Sequence, residues 1–208
     1  MDSLLFKGYE FISSFIPYIL LVILLGDKYN RRGLRISKGM YAMTAVFAVY
    51  VVAVFHYTGA GTLFNLMYYG FNISMDKINL IPFSRGADII ESGLNILLFV
   101  PFGFIVPIVF RNFTKVKDIA KAGFAFSLLI ELSQLLNIRS TDIDDLIFNT
   151  MGAVIGYIIY RAASKLIRGK ENIVKLDSMD LFMMIAVMFA GRFIFYYEMG
   201  LAKILYNF

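Results

Sequence analysis

The chain has no cysteine and a single histidine, His56. The first absence excludes disulfides, thiolate metal sites and cysteine nucleophiles. The second excludes metal centres built on several imidazoles. Charge is scarce too: 17% of the 208 residues are Asp, Glu, Lys or Arg, against about 25% in soluble domains. Four prolines and sixteen glycines are too few for a collagen-like or low-complexity chain. What is abundant is apolar, with 59% hydrophobic residues, 16% aromatics and a mean hydropathy of +0.71. A soluble globule of this size would expose too much hydrophobic surface, and a disordered chain has the opposite composition. The composition is that of a membrane protein.

A membrane helix needs about 20 mostly apolar residues. Six segments qualify: Tyr9–Gly26, Gly39–Tyr57, Ile89–Phe110, Ile119–Leu136, Ile143–Ile167 and Ser178–Tyr197. A seventh, Gly61–Phe71, is too short to span and reads as an interfacial stretch. The net charge of +5 is distributed unevenly. Lys28, Arg31, Arg32, Arg35 and Lys38 follow the first span, Arg111, Lys115, Lys117 and Lys121 the third, and Arg161, Lys165, Arg168, Lys170 and Lys175 lie around the end of the fifth. The intervening loops hold only Lys77 with Arg85, and Arg139. This alternation predicts an all-α bundle of six transmembrane helices with both termini outside. The basic loops serve topology and anionic headgroups, so no nucleic-acid partner is expected. The positive cluster follows the first apolar run and no small-residue cleavage site precedes it, so an uncleaved first span is expected rather than a signal peptide. Residues 1–208 read as one transmembrane domain.

Ionisable groups inside membrane helices are costly and each needs a reason. Under this topology they gather in the outer halves, while the inner halves look plain. Glu91 and Asn95 share a face of span three, and Glu131 and Gln134 a face of span four. Asp142, Asp145 and Asn149 are spaced three and four apart at the start of span five, flanked by Arg139 and Asp144. Arg85 precedes span three, His56 ends span two, and Arg192 lies near the outer end of span six, where it pairs with an acid or snorkels. Structural readings compete with a site. Thr141 or Asp142 can cap span five, with Asp144 and Asp145 favourable at the helix N-terminus. Glu91 can be a solvated first-turn residue, and Asn95 and Asn149 can bond helix to helix. Glu131 resists such a reading, because a carboxylate within Phe126–Gln134 must be paired, protonated or facing water. Arg139 or Arg85 is its expected partner. Gly152 and Gly156 form a small-xxx-small pair for close helix approach, and Pro101 and Pro107 are expected to loosen span three.

The stretch 79–160 carries Asn79-Leu80-Ile81-Pro82-Phe83, then Asn95 to Gly103 with Pro101-Phe102-Gly103, then Glu131-Leu132-Ser133-Gln134, Arg139, and Asp142 to Gly152 with Asp145 and Asn149. In order and spacing these pieces resemble the VanZ-like family of bacterial membrane proteins. The resemblance leaves two N-terminal helices (1–57) and a C-terminal helix (178–197) outside the matched core. It implies the bacterial cytoplasmic membrane and a role linked to glycopeptide and lipoglycopeptide resistance, teicoplanin being the name-giving case, without a settled activity. Two readings follow. In the first, Arg85, Glu91, Asn95, Glu131, Gln134, Arg139, Asp142, Asp145 and Asn149 bind a membrane lipid headgroup, a lipid-linked cell-wall precursor or a lipoglycopeptide, with the arginines meeting phosphate and no cofactor. In the second, the chain is an enzyme modifying a lipid or polyprenyl-linked substrate. Glu131, Asp142 and Asp145 are then the catalytic candidates, Glu131 as general acid or base, and Asp142, Asp144 and Asp145 hold Mg²⁺ on a pyrophosphate. A transporter or flippase ranks lowest, because plain inner halves offer no polar path.

Overall fold

The computed structural model describes residues 2–70, 78–84, 89–137, 139–166, 174–197 and 200. Among the described residues there are six long helices: α1 (Asp2–Arg31), α2 (Lys38–Thr58), α4 (Ile89–Val109), α5 (Val116–Gln134), α6 (Ile143–Leu166) and α7 (Ser178–Phe195). A short α3 (Leu63–Tyr69) follows α2, and two-residue strands β1 (Ile78–Asn79) and β2 (Thr141–Asp142) precede α4 and α6. The protein is an all-α integral membrane bundle, and among the described residues five helices are long and apolar enough to cross a membrane. The helix that falls outside those five is α5. It matches the others in length, but Lys117, Asp118, Lys121 and Glu131 lie on it. The expected Gly61–Phe71 stretch folds in part as α3, and α1 runs past the expected Tyr9–Gly26 at both ends.

Local chemistry sets the breaks. Ser37 accepts the Met40 N–H at 3.2 Å and starts α2. Gly59, at φ 62°, ends it in the left-handed conformation that a side chain disfavours. Thr62 and Asn65 form a reciprocal capping box on α3.

The core is aromatic. Phe55 and Phe99 both pack on Phe126, and Phe47 meets Phe110 edge-on at 5.6 Å. α4 and α6 make the closest helix pair, because a Cβ at Gly152 would collide with the Ile96 carbonyl oxygen and one at Gly156 with that of Val100. Gly156→Leu should therefore force the pair apart, at a cost of about 1–3 kcal/mol or more, as overpacking does. A thermal melt in detergent that matches the unsubstituted protein would contradict this packing. α4 itself stays helical through Pro101 and Pro107.

The two ends of the bundle differ. At the basic end, Phe110 and Leu176 form a parallel bridge. There Lys28 Nζ reaches Asp180 Oδ1 at 2.6 Å, Tyr29 Oη donates to Asp180 Oδ2 at 2.7 Å, and Arg32 and Arg111 both pair with Asp177. Asp180 is fully buried. The expectation of plain helix halves at this end is therefore corrected: the acids Asp177 and Asp180 anchor the basic loops to α7. At the same end, Lys175 donates to the Pro107 carbonyl at 2.6 Å, and partial burial lowers its pKa.

Candidate functional site

At the opposite end the chain segments before α4 and α6 meet. β1 and β2 pair in parallel, Ile78 beside Thr141 and Asn79 beside Asp142. Asn79 Nδ2 donates to both carboxylate oxygens of Asp142, at 3.1 and 3.0 Å. Asp142 also accepts the Asp144 N–H at 2.9 Å, two residues on, which is how an N-cap satisfies the first turn of a helix. The capping reading of Asp142 is thus seen, and it is only part of what that side chain does. Asp144 takes the Phe83 N–H at 3.0 and 3.1 Å, and Phe83 sits at φ 60°, unusual for a bulky residue. Asn79 Oδ1 accepts from Ile81 N and Ser84 Oγ, closing the same turn. The Asn79–Phe83 motif and the acidic start of α6 are one hydrogen-bonded unit.

α5 comes in from the other side. Glu131 is 2% exposed; its Oε2 accepts the Asp142 N–H at 3.1 Å, and its backbone carbonyl accepts Thr141 Oγ1 at 3.0 Å. Asn95 Nδ2 of α4 donates to Asp145 of α6, and Asn149 Nδ2 donates to Ser127 Oγ of α5 at 3.0 Å. Between these helices lies a cavity of about 1110 Å³. Its polar lining includes Glu91, Asn95, Glu131, Gln134, Arg139, Asp142, Asp144, Asp145 and Asn149, and its apolar wall is Leu94, Leu97, Leu98, Pro101 and Phe148. Eight of the nine residues expected at the site line this one space. The ninth, Arg85, lies outside the described residues.

The chain between α2 and α3 closes another wall. Thr58 O accepts from Gln134 Nε2 at 2.7 Å and from the Arg139 guanidinium, and Gly59 O accepts from Asn137 Nδ2 at 3.0 Å. Gly61 N donates to Ser133 Oγ at 3.0 Å, while Ala60 O and Gly61 O both accept from Arg192. Arg192 in turn binds Glu10 Oε1 at 2.9 Å, and His56 Nδ1 lies 2.6 Å from Glu10 Oε2. Of the two outcomes expected for Arg192, pairing or snorkelling, it takes the pairing, with an acid on α1. Glu10 has no role predicted from the sequence, because nothing local marks it. Asn137 and the carbonyls of Thr58–Gly61 carry no sequence signal for the same reason, and Ser133 stands in the Glu131–Gln134 motif without a role assigned to it.

One expectation comes out differently. Among the described residues Glu131 and Arg139 form no ion pair; they line one cavity, but the guanidinium is engaged by the Thr58 carbonyl. Among the described residues no three of His, Asp and Glu group to hold a metal ion. Asp142, Asp144 and Asp145 each turn to a different N–H donor.

The known proteins that this chain resembles agree on one family. The VanZ/LLP1 family model matches residues 41–167, a stretch that begins within α2 and is wider than 79–160. "Protein VanZ" of Enterococcus faecium is 30% identical over 153 residues, covering 71% of this chain and 84% of that protein. No solved structure matches. With 127 of 208 residues inside the family model and a relative of this similarity, the chain belongs to the VanZ/LLP1 family of multi-pass membrane proteins.

Proposed function

We propose that this VanZ/LLP1 protein is linked to glycopeptide and lipoglycopeptide resistance in the bacterial cytoplasmic membrane. Its cavity binds a lipid headgroup, a lipid-linked cell-wall precursor or a lipoglycopeptide. One observation carries this reading: the cavity joins buried carboxylate and amide groups to an aliphatic wall. Leu94 and Leu97, 59% and 65% exposed, continue that wall onto the outside of α4. A ligand with a polar head and an apolar chain matches such a lining. α5 counts as the sixth span, and the alternation of Lys and Arg orients the bundle so that the cavity opens at the outer face. Lipid-linked precursors and the antibiotics that target them occur at that face.

A second reading, an integral membrane enzyme acting on a lipid or polyprenyl-linked substrate, is favoured by the burial of Glu131 in the cavity without an ion pair among the described residues. Drug susceptibility and lipid composition separate the two. At matched protein levels, Asp142→Ser, Asp145→Gln and Asn149→Ala should each abolish the protein's effect on teicoplanin susceptibility. The membrane lipid profile should not depend on whether the protein is expressed. A headgroup that appears or disappears with expression would favour the enzyme. Wild-type susceptibility in all three variants would reject the site.

A further inference from the structure

The hydrogen-bond inventory of the cavity narrows what its ligand must offer. The lining is rich in acceptors. Glu131, Asp142, Asp144 and Asp145 bring carboxylates, and Arg139 is the one cationic side chain among the described lining residues. Each amide nitrogen already donates within the protein: Asn95 to Asp145, Gln134 to Thr58 O, and Asn149 to Ser127. Their oxygens fare differently. Among the described residues Gln134 Oε1 and Asn149 Oδ1 have no hydrogen-bond partner, although the two residues are only 5% and 2% exposed. A buried acceptor left without a donor is costly and calls for an explanation.

An anionic head would bring more acceptors and face like charge. An ammonium brings three donors and a positive charge, which suits open amide oxygens and carboxylates alike. Arg139 is exposed, whereas Glu131, Gln134 and Asn149 are buried. A phosphate on the same head would therefore sit outermost, near Arg139.

We infer that the cavity selects amphiphiles whose head carries a primary ammonium, held among Glu131, Asp145, Gln134 and Asn149, with the apolar chain along Leu94 and Leu97. This rests on the binding reading above and names the chemistry of the ligand. An aminophospholipid and an amine-bearing lipoglycopeptide share that chemistry.

The test uses the full chain in phosphatidylglycerol nanodiscs. These contain one of three lipids with a photoactivatable acyl chain: phosphatidylethanolamine, its N-acetyl derivative, or phosphatidylglycerol. Cross-linked peptides are mapped by mass spectrometry. Phosphatidylethanolamine should label the cavity segments of α4 and α6 about tenfold more than either other lipid, the factor expected when a charged hydrogen bond is lost. Asp145→Asn, nearly the same size and with a neutral amide, should bring the three lipids close to parity. Unlabelled teicoplanin identifies the source: displacement of the phosphatidylethanolamine label supports an ammonium site that also takes the drug, and undiminished label supports one reserved for lipid. Equal cavity labelling by all three lipids, or a preference for phosphatidylglycerol, would overturn the ammonium assignment and leave cavity binding standing. No cavity labelling by any lipid, with no protection of the cavity by teicoplanin, would overturn both.

Discussion

Arg192→Ala should destabilise the protein by about 3–5 kcal/mol, the range for removing one member of a buried ion pair. Arg192 and Glu10 are both nearly inaccessible, with side chains 6% and 4% exposed, and they join α7 to α1. Removing the guanidinium leaves a buried carboxylate whose remaining charged neighbour is His56 at 2.6 Å, and that ring is charged only when protonated. It also frees the carbonyls of Ala60 and Gly61. Those carbonyls belong to the segment whose preceding residue, Thr58, lines the cavity. The effect should therefore reach ligand binding as well as stability. Glu10→Met with Arg192→Met should recover much of the loss, because removing both charges leaves neither uncompensated. Denaturation in detergent at fixed lipid content measures all of this. Additive losses in the double variant would contradict the pairing.

Asp142→Ala is the second large effect. The side chain caps α6, worth about 1 kcal/mol, and accepts two contacts from Asn79 that hold β1 on β2. Hydrogen bonds to a charged acceptor contribute about 1.5–3 kcal/mol. Asp142→Ser should retain the cap and lose the Asn79 contacts, so its melting temperature should fall between those of wild type and Asp142→Ala. If serine restores full stability, the Asn79 contacts contribute nothing and β1 is held by its backbone alone. Asn79→Ala should lose at least as much as the serine variant, because it also removes the acceptor of Ile81 N and Ser84 Oγ; a melt unchanged from wild type would show that those contacts contribute nothing.

Much of this architecture was legible in the sequence because membrane helices announce themselves through uninterrupted apolar runs. The face shared by Asp142, Asp145 and Asn149, and that shared by Glu131 and Gln134, followed from helical spacing. The cavity brings those faces together. Gly152 and Gly156 were readable as a packing pair because small residues four apart have few other uses in a membrane helix. What could not be read lacks periodicity. β1 and β2 are two residues each, too short for any alternation, and they pair across distant parts of the chain, Ile78 with Thr141 and Asn79 with Asp142. Glu10 and Arg192 are 182 positions apart, so no local pattern links them. Asp180 is buried against Lys28 and Tyr29, 152 and 151 positions away, and no local pattern links those residues either. The expected Glu131–Arg139 pair failed for a related reason. A sequence shows side-chain charges but not where backbone carbonyls point, and a carbonyl, Thr58 O, took the guanidinium.

The central claim is that the cavity among α4, α5 and α6 opens at the outer face and holds a ligand there. The absence of native cysteine makes it directly testable. Ser140 lines the cavity and is exposed, while Gly33 is exposed at the basic end. In intact cells, a membrane-impermeant maleimide should react with Ser140→Cys and not with Gly33→Cys, which should react only after permeabilisation. Phosphatidylethanolamine or teicoplanin, added to the purified Ser140→Cys protein, should slow its labelling. Labelling of Gly33→Cys but not Ser140→Cys in intact cells, or a Ser140→Cys rate unaffected by either ligand, would contradict the account.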